Sequence, residues 1–141
     1  ALVRERWPGN LVVKGILHPE DAKRAKDHGA DGIIVSNHGG RQLDGAIAPL
    51  RALPDIVEAV GDYPVMIDSG FRRGTDVLKA LALGARFVFF GRPFNYAAAY
   101  AGEAGVEHAI RLMREEIARD MALLGITEIQ QMDKSRLREV R

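Results

Sequence analysis

The chain has 141 residues, 47% of them hydrophobic and 28% charged, enough for one globular domain with a real core. A net charge of +1, basic residues spread along the chain and few aromatics argue against a nucleic-acid groove or an anionic membrane as partner. The absence of cysteine excludes disulfides and thiolate chemistry, and no apolar run approaches the roughly 18 residues of a membrane-spanning helix.

The first residues, Ala1 to Trp7, carry no signal-peptide pattern and read as the end of an amphipathic helix. With no Met at position 1, the chain is expected to be a fragment that begins inside an element. Leu11-Val12-Val13 forms a first short strand, ended by Lys14 and Gly15. His18-Pro19-Glu20-Asp21 opens a helix, with proline in its first turn and acids near its positive end, and Gly29 closes it. A second strand runs from Gly32 to Val35, a helix from about Pro49 to Val60, and a third strand from Val65 to Ile67. A further helix opens near Gly74-Thr75-Asp76 and stops at Gly84, before a fourth strand from Phe87 to Phe90. Strands alternating with helices predict an α/β fold of βα units on a parallel sheet. Lys26 to Asp31 and Leu81 to Arg86 repeat one order, helix end, glycine, strand, as a barrel of similar βα steps produces. In the tail, Val106, Ile110, Met113, Ile117, Met121 and Leu124 make one apolar stripe on a long helix. That helix is expected to pack over the barrel wall, with a dimer-forming or membrane-surface role as the alternatives. Asp133 is placed to cap a last short helix.

The chemistry-bearing residues cluster where strands end. Ser36-Asn37-His38-Gly39-Gly40-Arg41-Gln42-Leu43-Asp44 follows the second strand and sets a proton acceptor, His38, three residues from a fixed cation, Arg41. The glycines between them let a backbone or ligand come close. A base beside an anion clamp suits a small acidic substrate. Asp68-Ser69-Gly70-Phe71-Arg72-Arg73-Gly74-Thr75-Asp76 follows the third strand, and Gly91-Arg92-Pro93 the fourth. Each offers glycine backbone, a guanidinium and a helix N-terminus, the parts of a phosphate cradle. Phosphate sites in βα-barrels often form from the loops after the last two strands. Lys14 would face the barrel mouth as a point charge, suited to an electron-rich ring or a developing anion. Ser69 reads as a tight-turn residue, because no base is placed to make it a nucleophile. His18, His28 and His108 read as structural or solvent-exposed, and no metal set is expected.

Lys14-Gly15, Ser36 to Asp44, Asp68 to Gly74 and Gly91-Arg92 together resemble the FMN-dependent L-2-hydroxy acid dehydrogenases and oxidases, over essentially the whole chain. The resemblance implies a TIM (β/α)8 barrel, with residues 1–141 as the C-terminal half-barrel, strands five to eight plus closing helices. It implies FMN as cofactor and oxidation of an L-2-hydroxy acid of lactate, mandelate or glycolate type to the 2-oxo acid. On that resemblance His38 is the catalytic base and also touches the flavin, and Arg41 binds the substrate carboxylate. Lys14 lies beside the flavin N1 and C2 carbonyl, while Ser36 and Gly39 line the flavin site. Asp68, Ser69, Gly70, Arg72, Gly91 and Arg92 hold the rest of the cofactor, its ribityl chain and phosphate. Arg73 matches the motif and points either into the site or to solvent. Two routes stay open: removal of the α-proton, leaving a carbanion, or of the hydroxyl proton with hydride transfer.

Members of this family also carry an N-terminal half with an active-site tyrosine pair, a second substrate arginine and an aspartate that orients the histidine. Tyr63, Tyr96 and Tyr100 do not match those tyrosines, and Asp44 is not given the orienting role. The expected partner is that N-terminal half, either still paired after cleavage in a mobile loop or absent, leaving an isolated half-barrel. The resemblance further implies a homo-oligomer, a tetramer, located in the cytoplasm or peripherally on the inner membrane, with no nucleic-acid partner. Two rival readings are a half-barrel with no activity of its own and another FMN barrel. The latter, such as a type 2 isopentenyl diphosphate isomerase or an inosine monophosphate dehydrogenase-like protein, shares the Gly-Arg loops but not His-Gly-Gly-Arg-Gln-Leu-Asp.

Overall fold

The computed structural model describes residues 2–138. Ala1, expected in the first helix, lies outside them. Four parallel strands form one sheet in chain order: β1 (Val12–Ile16), β2 (Gly32–Val35), β3 (Val65–Ile67) and β4 (Phe87–Val88). The helices are α1 (Leu2–Arg6), α2 (Pro19–Asp27), α3 (Pro49–Val60), α4 (Gly74–Ala82) and α5 (Arg92–Leu123). The predicted α/β fold with parallel strands is therefore present.

Alternation along the strands decides which side is covered. Ile33, Val35, Val65 and Ile67 are at most 1% exposed and pack against Ala22, Ala52, Leu53, Ile56 and Ala80 of α2, α3 and α4. The opposite row, Lys14, Ile34, Met66 and Phe87, runs in register across all four strands. That face is open: Phe87 is 55% exposed, and Val12, on the same face, 41%.

The repeated βα step has a shared physical basis. α2 and α4 both end in a glycine with positive φ, Gly29 at 80° and Gly84 at 101°. Each is followed by an alanine whose N–H bonds back into the last turn, Ala30 to Ala25 and Ala85 to Ala80. At the other end of α2, His18 caps through Nδ1, which accepts from the Glu20 N–H at 3.2 Å, and Pro19 opens the helix.

Three boundaries differ from the sequence reading. Lys14 does not end β1 but lies inside it. Leu11 precedes the ladder, its N–H held by the Asp31 carboxylate at 2.7 Å. The strand continues beyond Lys14 because Gly15, at φ +100°, forms a bulge before Ile16 pairs with Val35. β4 stops at Val88: Phe89 donates once more to the Ile67 carbonyl at 2.9 Å, and the chain then turns away. The tail helix begins earlier than its stripe, at Arg92, and kinks at Ala101 and Gly102. Only the Ile117–Met121 part of the stripe is packed as expected, and Leu124 at its end is 37% exposed. Ile117 and Met121 lie against Leu78, Ala82, Ile126 and Met132, whereas Ile110 is 44% exposed. Asp133 caps a short 3-10 turn, Lys134–Arg136, accepting from the Ser135 N–H at 2.8 Å.

Candidate active site

The C-terminal ends of the strands open on one cleft of about 860 Å³, whose walls include Lys14, His38, Arg41, Asp68, Arg72 and Arg92. Gly39, Ser69, Gly70 and Gly91 also line it, so the cleft gathers every expected site residue except Ser36. Ser36, expected to line the flavin site, is instead 0% exposed and lies one layer beneath.

That buried position gives Ser36 a different part. A serine hydroxyl has one proton and two lone pairs. The Lys14 ammonium donates to Ser36 Oγ at 3.1 Å, and the His38 N–H donates to it at 3.1 Å. The same ammonium is ion-paired to Asp68 after β3, so Ser36, Lys14 and Asp68 link the ends of β1, β2 and β3.

The His38 turn is built from unusual backbone. His38, Gly39 and Gly40 take φ of 55°, 68° and 75°, and the two glycines make a run of positive φ affordable in steric terms. His38 itself is a non-glycine held in the left-handed region, which costs about 1–3 kcal/mol and is common at functional sites. Its anchors are the Ser36 hydroxyl and the adjoining Gly39 N–H, which donates to Ser69 Oγ at 3.0 Å. The ring stands over the β1 bulge: a Cβ on Gly15 would fall 2.9 Å from His38 Cε1. Glycine after Lys14 is therefore what admits the imidazole. On the other side, a Cβ on Gly39 would fall 3.4 Å from Arg92 Nη2, so the loop after β4 closes against the turn after β2.

Lys14 and Asp68 form an ion pair at 2.9 Å, and Ser69, at φ +76°, donates to the other Asp68 oxygen at 2.7 Å. Burial pushes the Asp68 carboxyl up, but hydrogen bonds from Ser36, Lys14 and Ser69 and the Lys14 charge outweigh it and hold the group below its ordinary range. Asp68 is accordingly a carboxylate that fixes the ammonium at the cleft wall.

The phosphate-cradle expectation needs one correction. Protein carboxylates already occupy N–H groups at the start of α4. Asp76 accepts from the Arg72 and Arg73 N–H groups, each at 3.0 Å, and Glu116 of α5 accepts from the Gly74 N–H at 2.8 Å. What remains for an anion is the two side chains and two open glycines. Arg72 and Arg92 line the cleft, and nothing lies within 4 Å of a Cβ placed on Gly70 or Gly91. Among the described residues, Arg41, Arg72 and Arg92 have no carboxylate partner, a state they share with exposed arginines such as Arg51, Arg114 and Arg119; what sets the three apart is their place in the cleft wall. Cleft guanidiniums kept without carboxylates are suited to ligand anions.

Phe71, Phe89, Phe90 and Tyr96 add an apolar wall that the sequence reading did not assign to the site. By sequence Phe89 and Phe90 belong to the fourth strand. Their place after the last strand, beside Gly91-Arg92, is the signal that could have revealed them. Tyr63 is structural, donating to the Ala30 carbonyl at 2.6 Å, and Tyr100 is 91% exposed. His28 and His108 are exposed, as expected.

A family model described as FMN-dependent dehydrogenase matches residues 1–139. An L-lactate dehydrogenase of a Caulobacter species is 54% identical over 134 residues, 94% of this chain and 35% of that protein. An L-lactate oxidase of a Nostoc species is 55% identical over 129 residues, 91% of this chain and 35% of that protein. The chain thus spans about a third of the length of these curated relatives. Among solved structures, a soluble mutant of the membrane-associated (S)-mandelate dehydrogenase from Pseudomonas putida superposes with a TM-score of 0.93 at 48% identity. The match covers 97% of this chain and 39% of that one.

Proposed function

Because the chain belongs to the FMN-dependent dehydrogenase family, we propose that it supplies the base, the carboxylate anchor and the phosphate side of an enzyme that oxidises an L-2-hydroxy acid to the 2-oxo acid. The observation that carries this is the cleft itself, where His38, held in a strained turn over Gly15, shares one wall system with three carboxylate-free guanidiniums.

The residues present suit FMN. Arg72 and Arg92, beside the open backbone of Gly70 and Gly91, would take its phosphate, and the aromatic wall offers apolar surface to a flat ring. Lys14 would set a fixed positive charge against the electron-rich edge of that ring, with Asp68 and Ser36 keeping the ammonium in place. Bound FMN would supply the two-electron acceptor that amino-acid side chains lack. Arg41 would grip the substrate carboxylate through its planar fork. His38 would accept one of the two protons released as CH–OH becomes C=O, and its immobilised turn would hold the imidazole where that proton leaves.

The missing strands of the barrel are proposed to come from an N-terminal half. Three features support this: β1 and β4 are the outer strands of an open sheet, Val12 and Phe87 leave apolar surface on the uncovered face, and the relatives are about three times longer. Among the described residues no helix is long and apolar enough to cross a membrane. Peripheral attachment is the form of membrane binding proposed, on the ground that the P. putida relative is membrane-associated.

Anaerobic addition of L-lactate or (S)-mandelate to the FMN-loaded complete protein, this chain together with its N-terminal half, tests the function. The expected result is bleaching of the flavin band, abolished in His38→Ala with FMN still bound. A colourless protein that takes up no FMN, or a His38→Ala variant that bleaches at the parent's rate, would overturn it.

A further inference from the structure

Two adjacent arginines, Arg72 and Arg73, follow the same strand, yet they face different ways. Arg72 lines the cleft, while the Arg73 guanidinium lies 2.9 Å from Glu116 on α5. The Glu116 side chain is 19% exposed and its second oxygen accepts from the Gly74 N–H at 2.8 Å. One carboxylate therefore holds two consecutive residues of the cradle loop. Gly74 makes this approach possible: a Cβ there would fall 2.7 Å from both Glu116 Cβ and Ile117 N.

We propose that Glu116 is a positioning residue for the FMN phosphate, assigning Arg73 to α5 and leaving Arg72 to the cleft. The proposal rests on the reading of the Arg72 and Arg92 wall as the phosphate site. Pairing Arg73 fixes the loop that precedes α4, and so fixes the direction from which Arg72 reaches the ligand. Occupying the Gly74 N–H also adds a second carboxylate at the start of α4, beside Asp76 on the Arg72 and Arg73 N–H groups. A helix N-terminus left open attracts anions. Carboxylates placed there direct the phosphate to the guanidiniums instead. Glu116 does not line the cleft and acts only through its neighbours.

Riboflavin, which lacks the phosphate, separates this role from a general structural one. Apoprotein of the complete enzyme, this chain with its N-terminal half, is titrated with FMN and with riboflavin by flavin fluorescence quenching. Glu116→Ala is expected to weaken FMN by about tenfold, the scale of one charge-assisted hydrogen bond, and riboflavin by less than about twofold. Glu116→Gln keeps the side-chain volume and an acceptor for the Gly74 N–H but loses the charge facing Arg73. It is expected to move FMN in the same direction by about threefold, and it decides the matter if the alanine variant does not fold. An equal loss for both flavins, or no loss of FMN affinity in the folded variants, would overturn the proposal. A parent protein that binds FMN no tighter than riboflavin would instead overturn the reading of the phosphate site itself.

Discussion

Ser36→Ala is the sharpest test of how the site is held. The substitution removes one oxygen from a position with 0% exposure and leaves the backbone untouched. Two hydrogen bonds go with it: the donations from Lys14 and from the His38 N–H, each at 3.1 Å. Lys14 keeps Asp68 at 2.9 Å, so its loss is small. The His38 N–H keeps no partner at Ser36, and an unmade bond of this kind costs about 1–3 kcal/mol. Taking about 2 kcal/mol and a urea slope of about 2 kcal/mol/M, the unfolding midpoint should fall by about 1 M. Function should suffer as well. The left-handed His38 turn stores about 1–3 kcal/mol and needs its anchors. With one of them gone, the turn should relax and the anaerobic flavin-bleaching rate should fall by about tenfold, the effect of a small misplacement of a base. Urea unfolding and stopped-flow reduction are the assays. A midpoint within about 0.2 M of the parent's would refute the stability argument. A lowered midpoint with an unchanged bleaching rate would refute the claim that Ser36 positions His38.

Other outcomes follow from the same geometry. Gly74→Ala should lower Tm although alanine favours helix by about 1 kcal/mol, because forcing a methyl against α5 costs about 1–3 kcal/mol. Gly45→Ala, which meets nothing within 4 Å, should leave Tm unchanged, and a stabilised Gly74→Ala would contradict the packing argument. Arg41→Lys should raise the KM for the hydroxy acid by about tenfold while FMN affinity holds, since the lysine loses the fork. Equal losses of both would show that Arg41 is not chiefly a carboxylate anchor. The Asp68 carboxyl is held below its ordinary value of 3.8. Its contribution to stability is therefore complete above 3.8 and is lost as pH falls through the lower folded value. Urea midpoints measured below pH 3.8 should fall less steeply in Asp68→Asn than in the parent, and parallel curves would argue against the network.

Much of this protein was legible in its sequence because the signals are local. Strands β2 and β3 and helix α3 match their expected bounds, since a short apolar run bounded by glycine, proline or polar residues, or a proline-led apolar period, is a property of neighbouring residues. The residues of the cleft were legible for a related reason. In a parallel sheet chemistry gathers after the strands, so His38, Arg41, Arg72 and Arg92 announce themselves by following apolar runs.

What the sequence could not determine depends on contacts between distant segments. Nothing local marks Ser36 as buried beneath the site; its burial follows from the registry of β1, β2 and β3. Phe89 and Phe90 look like strand residues, and only the end of the ladder at Val88 turns them into cleft wall. The tandem arginines are equivalent as a string. They part ways because α5 comes back, against a position where only glycine fits, and brings Glu116 to one of them. Side-chain type and spacing specify which elements form. Which of two like residues meets the ligand is decided by what the fold packs against the other.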